Sequence, residues 1–131
     1  DKFIALSNKA TGLIEYLGIR LLEFTPGQVI AELQVADKLL TPFGNLHGGV
    51  MSAFTDHVLG AVCYPHMKKG QWAATAEFKL NLLAPVSKGT VRAVAEIINI
   101  TRSTAVVQIR MDNDGRPCIA AQGTVLIMDP R

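Results

Sequence analysis

The sequence predicts an α+β fold in which a long antiparallel sheet wraps around one central buried helix. Two observations support this prediction. Residues 50–63 carry apolar side chains on nearly every side of a helix, which is typical of a helix enclosed by protein. From residue 72 onward the hydrophobic period changes to two, and four long strands follow one another through short connections. Such short connections join antiparallel strands.

The composition predicts one domain over residues 1–131 and disfavours several classes of protein. A net charge of +2, with no basic cluster larger than Lys68-Lys69, gives no support to a nucleic-acid partner. No apolar run reaches the roughly 18 residues of a membrane span, so we expect no membrane partner. Cys63 and Cys118 lie apart in apolar surroundings, which indicates buried free thiols and a cytoplasmic protein. The histidines form no metal-binding pattern, and no cofactor is implied.

The first 46 residues read as a helix followed by a hairpin and a loop. Apolar residues recur near a 3.6-residue period over 2–17, and Gly18 stands where a helix stop belongs. Residues 19–25 and 28–36 predict the two strands of the hairpin. Residues 37–46 predict a loop.

The second part predicts the central helix over about 48–64, ended by Pro65, and then the long strands. The predicted strands span 72–82, 90–101, 103–112 and 118–128. Within the first of them, alternation assigns Trp72 and Phe78 to the apolar face and Thr75 and Glu77 to the opposite face. Residues 113–115, with the sequence Asn-Asp-Gly, predict a tight hairpin turn.

Segment 41–56 holds the strongest candidate for a functional site. His47, Gly48 and Gly49 open the apolar helix, where the first N–H groups lack helical partners and the helix dipole favours negative charge. The two glycines have no Cβ, so a substrate can approach the backbone closely. Asp56 is a carboxylate in an apolar helix, which costs free energy unless the group is paired or used. Oxyanion donors and such a carboxylate suit acyl transfer or hydrolysis.

Two segments resemble the hotdog-fold acyl-CoA thioesterases, in particular the PaaI-like branch acting on aromatic or medium-chain acyl-CoA. They are His47-Gly48-Gly49 followed by Asp56 nine residues after the histidine, and the strand 75–85 that ends in a proline. The resemblance covers essentially the whole chain. It implies a hotdog fold and a homodimer or dimer of dimers with its active site between subunits. It also implies that coenzyme A is part of the substrate and is not a separate cofactor.

The resemblance also implies roles for single residues. The Gly48 N–H donates to the thioester carbonyl, and Asp56 attacks that carbonyl or activates water. Thr75 stands where relatives often place a hydroxyl near the catalytic water. His47 could be a general base, but a histidine at a helix entry is more often a hydrogen-bonding brace, and we interpret it as a brace.

Substrate-positioning residues follow from the same resemblance. Thr41 stands where relatives often carry Gln or Asn, and Asn45 is nearby but out of register. The turn at Arg102, Ser103 and Thr104 corresponds to a place where relatives often hold the nucleotide of coenzyme A.

Two other functions remain open at the level of sequence. A hydratase or dehydratase of acyl thioesters would need a catalytic His paired with an acid, and His47 with Asp56 could supply that pair. In a non-catalytic acyl-CoA-binding module, the acid Asp56 would not be needed for function.

Overall fold

The computed structural model describes residues 2–131 and confirms the predicted α+β fold. The helices are α1 (Lys2–Asn8), α2 (Leu13–Leu17) and α3 (Gly48–Ala61), and the strands are β1 (Ile19–Thr25), β2 (Gln28–Gln34), β3 (Trp72–Leu82), β4 (Thr90–Ile100), β5 (Thr104–Asn113) and β6 (Arg116–Met128). All neighbouring strands are antiparallel, in the order β1-β2-β4-β5-β6-β3. Strands β1 and β3 therefore form the two edges of the sheet.

The sheet curves around α3, which packs against strands β2 to β6. Phe54, Val58 and Leu59 on the sheet side of α3 are fully buried. They meet inward-facing apolar residues such as Val29 and Leu33, which alternate with more exposed neighbours along β2. Because this face of α3 and the concave face of the sheet exclude water together, they form the hydrophobic core.

The prediction of one helix over residues 2–17 is wrong, because the chain forms two short helices there. Gly12, at the start of α2, has φ of 80°, a conformation that interrupts a right-handed helix. No residue of α1 is fully buried, so packing does not force a continuous helix. The predicted stop at Gly18 is confirmed, since its N–H donates to the carbonyls of Ile14 and Glu15.

Helix α3 ends at Ala61, three residues before the predicted end. A proline ring clashes with the carbonyl four residues earlier, and for Pro65 that carbonyl belongs to Ala61. Pro65 instead lies in a 3-10 turn, Tyr64–His66.

Strand β3 contains a bulge that the sequence alternation did not predict. The pairing of β3 with β6 shifts between Thr75 and Glu77, so Ala76 is the extra residue. As a result Ala73 and Thr75 face α3 before the bulge, and Phe78 faces the core after it. The predicted assignment of Thr75 to the face opposite Phe78 is therefore wrong.

The turn between β5 and β6 and the state of the cysteines agree with the sequence. Asp114 and Gly115 have φ of 49° and 91°, the positive values that this tight hairpin needs. Cys63 and Cys118 are buried and form no disulfide. Burial raises the pKa of both thiols to about 11, and for Cys118 the charge of Asp112 acts in the same direction. Among residues 2–131, none of the helices has the length and apolar character to span a membrane.

Candidate active site

The N-terminus of α3 leaves one backbone donor unused. The His47 side chain accepts a hydrogen bond through Nδ1 from the Gly49 N–H at 2.8 Å. The His47 carbonyl accepts from the N–H groups of Val50 and Met51 at 2.9 and 3.2 Å. The Gly48 N–H has no acceptor within the part of the chain that the structure describes. This amide therefore stands free at the positive end of the helix dipole.

Gly48 borders a cleft of about 270 Å³, together with Asn45 and residues 82–86. A Cβ built on Gly48 would lie 3.6 Å from Leu82 Cδ1, an ordinary contact, and the backbone at Gly48 does not have a positive φ. The fold thus does not require glycine at this position. The missing side chain leaves room for a ligand atom beside the free N–H.

Asp56 and Thr75 form a hydrogen-bonded pair. The Thr75 hydroxyl donates to Asp56 Oδ1 at 2.6 Å, across the gap between α3 and β3. Oδ2 of Asp56 accepts no hydrogen bond from residues 2–131. The carboxylate is exposed, so the expectation that α3 is covered on nearly every side holds only on the side of the sheet.

A largely apolar cavity of about 470 Å³ opens beside this pair. It lies between the two edges of the sheet, because β1 contributes Leu21 and Phe24 and β3 contributes Ala73 and Thr75. Asp56 borders the same cavity.

His57 also borders this cavity, and its imidazole has a lowered pKa. Burial lowers the pKa of its imidazole, and the charge of Asp56 opposes the shift without cancelling it. Its Nε2 atom is buried and has no hydrogen-bond partner among residues 2–131. No hydrogen bond joins His57 to Asp56 in that range, because consecutive side chains on a helix diverge by about 100°.

The distance between the donor and the carboxylate constrains the chemistry. Gly48 and Asp56 are eight residues apart on one helix, which corresponds to about 12 Å along its axis. One copy of the chain therefore does not bring both groups to a single carbonyl.

Thr41 and Asn45 close the loop that leads into α3. The Thr41 N–H donates to the Asn45 carbonyl at 2.7 Å, and Thr41 Oγ1 accepts from the Phe43 N–H. Asn45 borders the cleft at Gly48, whereas Thr41 does not border it.

Arg102, Ser103 and Thr104 lie at the turn between β4 and β5, away from the Asp56 cavity. Arg102 and Ser103 border a separate cleft of about 370 Å³, which His66 and Lys68 also line. Two cationic side chains, Arg102 and Lys68, and the carboxylate of Asp129 therefore border a space large enough for a charged group. His66 uses Nε2 to accept a hydrogen bond from the Gly27 N–H. No cluster of three or more His, Cys, Asp or Glu residues that could hold a metal ion occurs within residues 2–131.

The sequence analysis missed the residues that shape the cavity next to Asp56. Phe3 and Leu6 come from α1, Phe24 from β1, and Tyr64 from the turn after α3. Periodicity identifies them as apolar positions, but no local signal shows that both edges of the sheet line one cavity.

A long antiparallel sheet wrapped around a central helix defines the hotdog fold, and the site on that helix suits hydrolysis of an activated acyl group. Residues 43–120 match the family model described as the Thioesterase superfamily. The chain belongs to this superfamily and is a thioester hydrolase.

Individual relatives agree with this assignment. The chain is 32% identical over 103 residues to 1,4-dihydroxy-2-naphthoyl-CoA hydrolase from Listeria monocytogenes, covering 79% of this chain and 84% of the relative. The crystal structure of thioesterase HI1161 from Haemophilus influenzae has a TM-score of 0.87 and 26% identity, with 96% of this chain and 87% of that chain covered. The PaaI protein from the phenylacetic acid degradation operon of E. coli shares the fold, with a TM-score of 0.88, 18% identity, and coverage of 98% and 93%.

Proposed function

We propose that this protein is an acyl-CoA thioesterase that hydrolyses an aromatic or medium-chain acyl-CoA to the free acid and coenzyme A. The observation that carries the proposal is the pairing of two features on one helix. The Gly48 N–H at the start of α3 has no acceptor within residues 2–131, and Asp56 further along is held by Thr75. A thioesterase needs one donor for the carbonyl oxygen and one group to attack or to activate water.

The proposed active site lies between two subunits of a homodimer, or of a dimer of dimers. Gly48 of one subunit and Asp56 of the other act on the same carbonyl. The 12 Å or so between these residues within one helix supports this arrangement. The uncovered face of Asp56 and the exposed Leu82 and Leu83 beside the Gly48 cleft, at 59% and 54% exposure, also support it.

The reaction then follows from the two groups. The Gly48 N–H donates to the thioester oxygen and stabilises the negative charge that forms there. The Asp56 carboxylate either attacks the carbonyl carbon to form an anhydride, which water opens, or takes a proton from the attacking water. The C–S bond breaks, and the thiolate of coenzyme A leaves and takes up a proton. Thr75 orients the carboxylate, and this chemistry requires no metal or redox cofactor.

The remaining predicted residues have supporting roles in this proposal. His47 braces the helix start through its bond from Gly49, and Asn45 borders the acyl-carbonyl cleft with Thr41 holding its loop. Arg102, Ser103 and Thr104 contact the phosphates or nucleotide of coenzyme A, in the cleft that Lys68 also lines. We place the protein in the cytoplasm because its two buried cysteines are unpaired.

The first test compares Asp56→Asn with the matched control Asp37→Asn, which changes an exposed aspartate in the 3-10 turn before α3. We expect thiol release from aryl- and medium-chain acyl-CoA by the parent and by Asp37→Asn. Asp56→Asn should lose at least about 1,000-fold in kcat while remaining folded, because it removes the group that attacks or activates water.

Undiminished turnover by Asp56→Asn would contradict the role of Asp56. Hydration of crotonyl-CoA without thiol release would indicate a hydratase, and tight binding of acyl-CoA without turnover would indicate a binding module.

A further inference from the structure

The lining of the cavity beside Asp56 combines side chains of different kinds. Asp56 and Thr75 supply a hydrogen-bonded polar pair. Gly60, Ala61 and Ala73 supply small side chains. An acyl group whose carbonyl lies at Asp56 can therefore extend along these small residues without a steric block.

A further part of the lining is bulky and apolar, and helix α1 supplies much of it. Phe3 and Leu6 of α1 line the cavity together with Phe24 of β1, and Ser7 is the polar residue that α1 adds. Leu6 is 69% exposed and Phe3 is 40% exposed. Covering apolar surface is favourable by about 25 cal/mol per Å², so a ligand that reached these side chains would gain affinity from covering them.

Helix α1 is attached to β1 at a defined point. The Asn8 side chain donates to the Leu21 carbonyl at 3.1 Å and accepts from the Leu21 N–H at 2.9 Å. The rings of Phe3 and Phe24 pack with their centroids 5.8 Å apart. Leu21 and Phe24 themselves line the cavity, so these contacts hold α1 over it.

We propose that α1 is the specificity wall of the acyl pocket: Leu6 and Phe3 contact the end of the acyl group farthest from the thioester, and they select bulky apolar acyl groups over acetyl. The inference rests on the proposed function, because it takes Asp56 as the carbonyl end of the pocket. Asn8 acts as a positioning residue that keeps α1 in place.

The test compares Leu6→Ala with Leu13→Ala. Leu13 is a matched control because it is 60% exposed and lies in α2, outside this cavity. The readout is kcat/KM for acetyl-, hexanoyl-, octanoyl- and benzoyl-CoA. Leu6→Ala should lower kcat/KM for octanoyl-CoA about tenfold and leave acetyl-CoA unchanged, because losing a few buried methyl or methylene contacts costs a factor of this size. Leu13→Ala should change neither value.

Asn8→Ala provides a second measurement through the position of α1. It removes both bonds to Leu21 without changing the cavity lining. The octanoyl/acetyl ratio of kcat/KM should fall in the same direction as in Leu6→Ala, whereas a purely structural defect would lower both substrates together.

The outcomes separate this inference from the proposed function. Suppose that the parent releases thiol but Leu6→Ala and Leu13→Ala show the same acyl preference. The role of α1 as specificity wall is then overturned, whereas the proposed thioesterase activity is supported. If no acyl-CoA is hydrolysed, the proposed function fails. Calorimetric binding of octanoyl-CoA to the parent and to Leu6→Ala then tests the wall on its own, and equal affinities overturn it.

Discussion

At the scale of single residues, the proposed oxyanion donor at position 48 is a backbone N–H. Gly48 is the first residue of α3, where the N–H has no helical acceptor in any sequence. Proline is well tolerated at this first helical position. The preceding residue, His47, has φ of −63° and ψ of 134°, the extended conformation that a following proline requires. Gly48→Pro should therefore delete the donor without disturbing the helix.

We predict that Gly48→Pro lowers kcat about 100- to 1,000-fold, the usual effect of removing one oxyanion donor. The free energy of unfolding should stay close to that of the parent. Gly48→Ala is the control, because it keeps the N–H and adds a Cβ in ordinary contact with Leu82. It should retain much more activity than Gly48→Pro. Steady-state kinetics and urea unfolding check both variants, and full activity in Gly48→Pro would rule out Gly48 as the donor.

The candidate site could be predicted from the sequence where its chemistry is local. The glycines, His47 and Asp56 all lie on one segment, so their spacing in the sequence is enough to predict the candidate site. The use of His47 Nδ1 as acceptor for Gly49, which leaves Gly48 as the free donor, depends on a side-chain rotamer that spacing does not determine.

At the scale of elements, the bulge in β3 determines whether Thr75 reaches Asp56. Gly123 of β6 lies opposite Phe78, just after the bulge. A Cβ on Gly123 would lie 2.7 Å from both the Glu77 carbonyl oxygen and Phe78 Cβ. Because one of these atoms is backbone, a side chain at position 123 would force β3 to move.

We predict that Gly123→Ala lowers the free energy of unfolding by about 1–3 kcal/mol, the range for overpacking a close-packed core. It should also reduce kcat, because β3 carries Thr75 away from Asp56. Gly60→Ala is the matched control for stability alone, since a Cβ there would lie 3.8 Å from Ala73 Cβ and alanine favours a helix. Urea unfolding compares the two variants, and thiol release measures the kcat of Gly123→Ala against the parent. Equal stability of the two variants would contradict this account of the bulge.

The same elements explain where sequence prediction of the fold fails. Strict alternation assumes one residue per pairing step, and the extra Ala76 reverses the faces for half of β3. Likewise, the helical period over residues 2–17 says nothing about Gly12, whose positive φ separates α1 from α2. The order of elements and the turn at Asp114-Gly115 were predictable because they depend on local preferences.

At the scale of the whole molecule, the sheet leaves α3 uncovered between its two edges. The cavity beside Asp56 lies in that gap and is lined by both β1 and β3, although these strands are at opposite ends of the sheet order. Such a gap depends on the curvature of the full sheet, which no sequence pattern specifies. The proposed two-subunit site requires a second copy of the chain over this face, with its own α3 N-terminus at Asp56.

A site shared between subunits predicts that two inactive variants restore activity when they are mixed. In a heterodimer of Gly48→Pro and Asp56→Asn, one site carries both lesions and the other carries neither. The purified heterodimer of a two-fold symmetric pair keeps one intact site of two, so it should recover about half of the parental kcat per dimer. The variants would be co-expressed with different affinity tags, and thiol release would be measured on the doubly purified heterodimer. Each homodimer, prepared in the same way, is the control. A heterodimer without activity would show that donor and carboxylate do not act across the interface.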